Sequence, residues 1–180
     1  MTDLELLVRY CRIFPDPSVA SREENFYLTE LTWTLPVEQI ALVLIDCWDM
    51  HRVDSHLERS GRIVVQTLAP LVDACREAGI TIIHAPSPQT AAQYPEWVRY
   101  AGDDELFEGD HSAPQWPPAD FRRRIGEYEQ YALPREPRER MLERQRERRI
   151  MSALEPRPQD FVVTTGEQLH RLCRHRRLLH

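Results

Sequence analysis

Asp46 ends a run of six apolar residues at 40–45, and Cys47, Trp48, Asp49 and His51 follow it at once. A carboxylate, a thiol and an imidazole so close together can accept a proton, attack a carbonyl carbon or hold a divalent ion. The carboxylate is the most informative of them. An ionised Asp beside apolar packing is costly unless its charge is needed there, which marks Asp46 as a candidate site residue. A second apolar run, ITIIH at 80–84, ends in His84. Trp48, His51 and His84 are the candidate substrate contacts. Trp48 and Trp97 can equally serve as core or pocket-wall residues, and His84 has the simpler alternative of bonding a neighbouring carbonyl at its strand's end.

The elements that must position these groups follow from periodicity. The run at 40–46 is too short and too β-branched for a surface helix and reads as a strand buried on both faces, as in a parallel sheet. Its carboxyl end is where open α/β sheets place ligands. Residues 54–78 carry apolar side chains at helical spacing and end on Gly79, which predicts a crossover helix with a glycine C-cap. Pro70 inside it predicts a kink or a break into two helices. With the strand at 80–84 this makes a β–α–β unit with a right-handed crossover. DFVVTT at 160–165 reads as a third strand and 167–177 as a further helix. Leu178, Leu179 and His180 read as the start of another strand, cut short, so the domain is expected to be incomplete.

Ahead of this unit, 5–12 and 26–34 are rich in β-formers and flank the Pro-, Ser- and Asp-rich stretch FPDPSVAS. They predict two short strands or a hairpin, an N-terminal arm over 1–36 preceding a domain over 37–180. Residues 85–158 read as an inserted region. It opens as a long excursion over 85–120 with at most a short helix around 89–100, a length typical of functional or partner-contacting loops. At 134–154 Glu and Arg recur at spacings of three and four, predicting a solvated helix with internal ion pairs.

Composition sets outer limits. A chain of 180 residues with 42% hydrophobic content suits one domain with a substantial core. Its 29 acidic against 23 basic residues give a net charge of −6, which argues against nucleic acid as a partner. No apolar stretch approaches the roughly 20 residues that span a bilayer, and the N-terminus lacks the order of a signal peptide, so no membrane partner and a cytoplasmic location are expected. The four cysteines form no CxxC pair and read as free thiols. All 23 basic residues are Arg, so any chemistry requiring a lysine amine is excluded for this chain.

IALVLIDCWDMH, the helix ending in CREAG, ITIIHAPSP with YPEW just after it, and DFVVTTGEQLHRLCRHRRLLH resemble, in that order, the isochorismatase-like cysteine hydrolases. They look most like an uncharacterised bacterial branch of that family. The resemblance runs from about residue 40 to the end. It implies a Rossmann-like three-layer α/β/α sandwich around a parallel sheet, a small amide- or ester-like substrate, and a homo-oligomer. It also implies a trio of Asp, Lys and Cys, in which the Asp takes the thiol proton, the Cys attacks and the Lys tunes the pair electrostatically.

Asp46 matches the first role by position. The Lys has no counterpart, and the nucleophile would follow the strand that Leu178 begins. The expectation is therefore a hydrolase domain lacking Cys-dependent activity in this chain, or a non-catalytic family member serving oligomer or partner contacts. Cys47 is expected to point away from Asp46, since neighbours on an extended segment face opposite ways. Cys11, Cys75 and Cys173 fall in the arm and in helices. No cofactor is expected. The alternative is a divalent ion such as zinc on Asp46, Asp49, His51 and His84. Some nicotinamide-hydrolysing relatives bind such an ion through a later Asp-x-His loop, whereas Asp49-Met50-His51 has that spacing in another place.

Overall fold

The computed structural model describes residues 3–100, 117–132, 144 and 147–178. The strand expected at 40–46 is β3, Ala41–Ile45, and it pairs in parallel with β4, Thr81–Ala85, which pairs in parallel with a two-residue β5, Phe161–Val162. The three form one sheet in the order β3–β4–β5. The far edge of β5 is met by residues 96–98: Val162 N–H donates to Glu96 O at 3.0 Å, and Val98 N–H donates to Val162 O at 2.9 Å. The architecture is thus mixed α/β with a three-stranded parallel sheet. Strands β1, Asp3–Arg12, and β2, Tyr27–Pro36, form a separate antiparallel pair.

Period-two alternation sends successive strand residues to opposite faces. Leu42, Leu44, Ile82 and Val162 pack with Val64 and Val72 of the crossover. Val43, Ile83 and Val163 pack on the other side with Leu169 and Leu172 of α5, Gly166–Arg176. Leu178 joins this second cluster, and its N–H donates to Cys173 O at 2.9 Å behind a left-handed Arg177. Leu178 therefore closes the helix through a C-terminal cap with its apolar contact. Residues 179–180 lie outside the described residues.

The crossover resolves the Pro70 question in a third way. Helix α1, Asp54–Ile63, runs through a π turn, Val64–Leu68, into α2, Ala69–Ala78. Proline has no N–H and crowds the turn before it. Widening that turn, so that Ala69 N–H reaches Val64 O, lets the helix continue without a break. Gly79 ends α2 at φ 82°, a left-handed position natural to glycine. The excursion after β4 contains α3, Pro88–Ala91, and later α4, Ala119–Arg123. Of the helix expected at 134–154, residues 134–143 and 145–146 lie outside the described residues. Of its described residues, Arg144 and Glu147 are helical, exposed and joined by an ion pair at 2.9 Å, as expected. The helix does not continue to 154: 148–151 is extended, Arg148 and Ile150 are buried, and a 3-10 turn follows at Ser152–Leu154. None of the helices among the described residues is long and apolar enough to cross a membrane.

One buried ionic cluster ties the crossover to the strand that follows the excursion. Asp160, 3% exposed, accepts from the Arg76 guanidinium of α2, from Arg157 N–H at 2.9 Å, and faces His84 Nε2 at 3.4 Å. Burial alone would raise the Asp160 carboxyl, but the Arg76, Arg157 and His84 contacts together hold it below the usual range. Burial also lowers His84, with Asp160 opposing the effect in part. Both shifts have the same sign in stability. Each group contributes fully above its ordinary pKa, 6.5 for His84 and 3.8 for Asp160, and the contribution is lost as pH falls through the lowered value. Asp160→Ala would remove the buried partner of the largely buried Arg76, leaving it the more exposed Asp73 at 3.3 Å, and is expected to cost about 3 kcal/mol at neutral pH. Urea unfolding of the variant should also show a shallower loss of stability than the parent as pH falls below 3.8, where Asp160 titrates, and no shallower loss just below 6.5, since His84 then lacks the contact that opposes its lowering.

Candidate functional site at the carboxyl end of strand β3

Asp46 carries the backbone out of β3 in the left-handed region, at φ 53°, a conformation Asp tolerates better than most residues. Its N–H still donates to Ala85 O at 3.3 Å, extending the pairing with β4 by one position. Trp48 N–H then donates back to Asp46 O at 2.9 Å, a tight turn around Cys47. The turn sends 47–49 antiparallel along 149–151. Met151 N–H donates to Cys47 O and Asp49 N–H to Arg149 O, each at 3.0 Å, while Arg149 N–H donates to Asp49 Oδ1 at 2.8 Å. A bridge pairs Trp48 with Ile150.

This short ladder brings in a cation. Arg148 is 5% exposed, its guanidinium lies 4.1 Å from the centre of the Trp48 ring, Nη2 donates to Ser87 Oγ and Nε to Thr90 Oγ1 at 3.5 Å. Partial burial pushes the Asp46 carboxyl above its ordinary 3.8, and the Arg148 charge pulls it partway back. Cys47 is pushed up first by burial and then by the Asp46 charge, so it is a protonated thiol at neutral pH.

Asp46 borders two cavities. One, of about 150 Å³, lies between the turn and the crossover, and is lined by Cys47, Trp48 and His51 with His56, Ser60 and Val64. The other, of about 340 Å³, lies across the strand ends, between Ile45, Ser87 and the Thr164–Gly166 entry to α5. Cys47 shares the first cavity with Asp46, contrary to strand alternation, because the left-handed residue rotates the chain between them.

The structure brings Asp46, Trp48 and His51 to one cavity and does not bring His84 there. His84 is 1% exposed on the crossover side of the sheet and meets Asp160 instead of a strand-end carbonyl; its Nδ1 has no hydrogen-bond partner among the described residues. The four residues considered for a metal do not converge. Asp49 Oδ1 is taken by Arg149 N–H, and His51 Nδ1 accepts from Val53 N–H at 3.1 Å while its ring lies 4.2 Å from that of His56. The described residues contain no group of three or more His, Cys, Asp or Glu side chains placed to hold an ion. The residue missed by sequence reasoning is Arg148. It was hidden in a charge-dense run, and its sole local signal is the apolar Ile150-Met151 pair that ends that run.

A raised carboxyl favours the native state at low pH, and this contribution disappears as pH rises through the raised value. Asp46→Asn, which keeps the tolerance for φ 53°, is therefore expected to raise Tm at pH 7 by about 2 °C, with the gain narrowing toward pH 4. Asp46→Val should lower stability by about 1–2 kcal/mol, because a β-branched residue is strained in the left-handed region. Calorimetry of both variants across pH checks the pair. Comparison of the chain with family models, with curated proteins and with solved structures found no match.

Proposed function

We propose that this chain carries an isochorismatase-like hydrolase domain, a Rossmann-like α/β/α sandwich that takes a small amide- or ester-like substrate at the Asp46 cavity. The observation that carries the reading is a carboxylate at the carboxyl end of a parallel strand, raised by partial burial, bordering a cavity and backed by the buried Arg148. In this reading Asp46 takes the proton of the attacking group. That group is water: its oxygen bonds to the carbonyl carbon, the C–N or C–O bond breaks, and the leaving group departs with the proton that Asp46 took. Arg148 supplies the positive charge for which the family uses a lysine, and its stacking on Trp48 suits a guanidinium where an ammonium would have less to pack against. Trp48 and His51 form the wall against which the substrate lies.

Cys47 favours a second reading, a non-catalytic family member. It is the thiol nearest the base, yet its environment keeps it protonated instead of activating it. Titration of the protein with small amides and esters, followed by tryptophan emission, is expected to show binding that Asp46→Asn weakens about tenfold. Any hydrolysis should have an acid limb above pH 3.8 that is absent in Asp46→Asn, and should be insensitive to thiol alkylation. Hydrolysis abolished by alkylation would assign a nucleophilic role to a thiol. Binding unchanged by Asp46→Asn and by Trp48→Ala would overturn the placement of the site.

A further inference from the structure

The N-terminal hairpin sorts its side chains by face. Directly opposed residues share a face, so one side carries Leu4 with Leu35, Leu6 with Trp33, Val8 with Leu31, Tyr10 with Thr29 and Arg12 with Tyr27. The reverse side carries Asp3 with Pro36, Glu5 with Thr34, Leu7 with Thr32, the Arg9–Glu30 ion pair and Cys11 with Leu28, so its apolar residues are interrupted by charged and polar ones. The first face is a continuous apolar stripe, yet it is open to solvent: Leu6 is 38% exposed, Tyr10 44%, Leu31 46% and Trp33 48%. Beyond each other, β1 and β2 make at most marginal contact with any other described element. A lone two-stranded sheet is marginal in water, and an uncovered apolar face of this length is characteristic of an interaction surface.

We infer that this face is a homodimer interface, closed by the same face of a second copy of this chain. Two features select that occupant. The first is charge. Arg12 is the face's one charged residue, and it is already neutralised within the chain, by Asp16 at 3.3 Å and by donation to Tyr27 Oη at 2.7 Å. The stripe asks no opposite charge of a partner, so an apolar copy of itself is complementary. The second is area. Ten-residue strands are about 34 Å long. Packing two such faces together removes on the order of 1,000 Å² from water, the size at which specific interfaces begin.

A two-fold axis running across the strands sets Val8 and Leu31 against their own counterparts at the centre. It places the two Arg12 residues at opposite ends, where an axis along the strands would bring them together. The isologous arrangement buries both faces at once and leaves none to propagate a fibre.

Sedimentation of the full chain from low micromolar to about 100 µM is the test. The parent is expected to be a dimer. Leu6→Glu and Leu31→Glu should each raise its dissociation constant at least about 100-fold. Leu7→Glu, on the reverse face, should change it by less than about threefold. Far-UV circular dichroism checks that the variants keep their strands. Should the glutamates prevent folding, the parent still decides the matter. Its tryptophan emission should shift to the blue in step with dimer formation, and Trp33→Phe should remove that shift. A monomeric parent would overturn the inference, as would a dimer unaffected by Leu6→Glu and Leu31→Glu, or a dimer whose formation leaves Trp33 emission unchanged.

Discussion

The arrangement around β3 depends on the antiparallel ladder between 47–49 and 149–151. These segments are separated by roughly a hundred residues, and their backbone hydrogen bonds fix both at the end of the parallel sheet. The ladder puts the Asp46 cavity between the turn and the crossover helix, and places Arg148 beneath Trp48 with its donors on Ser87 and Thr90. Tyr94 joins the same support, its hydroxyl accepting Ile150 N–H at 3.0 Å. Without the ladder Asp46 would be a carboxylate on a frayed strand end. With it, the residue has a wall, a counter-charge and a restricted backbone.

Two guanidinium centres flank the sheet's crossover side and do different work. Arg76 meets Asp160 as a buried ion pair beside His84, a contact that joins α2 to the approach to β5. Arg148 is held by two hydroxyls and an aromatic face, with no carboxylate among the described residues in direct contact, and its field reaches Asp46. A planar, delocalised cation that stacks and donates in fixed directions suits both places. The chain's exclusive use of Arg is thus compatible with buried positive charge at each of them.

Much of this was legible in the residues. IALVLI and ITIIH announced strands by length and β-branching, but burial on both faces, expected of the first, fails there. β3 ends the described sheet, Leu44 alone of its residues is fully buried and Ile45 is 68% exposed. Apolar spacing announced the helix at 54–78, and Gly79 its end. Asp46 stood out because a charge followed an apolar run. The ladder was not legible, since Arg148 to Met151 sit in a charge-dense run whose local preference is helical and whose extended form comes from distant pairing. His84 was legible as a strand-end histidine but not as a partner of Asp160, because pairing across the excursion leaves no local trace. The Pro70 anomaly was visible, while its solution depended on how the turn before it could widen. β-Formers in 5–12 and 26–34 foretold strands, and only the register between them revealed that one face is mostly apolar.

The left-handed backbone at residue 46 also bears on how this position can change over evolutionary time. Asp, Asn and Gly occupy that conformation readily, and Glu does so less well. The usual exchange between the two acidic residues is therefore discouraged by geometry before any chemistry is considered. A lineage that gave up the carboxylate's reactivity would drift toward Asn or Gly, and one that kept it would have Asp as its favoured acidic choice.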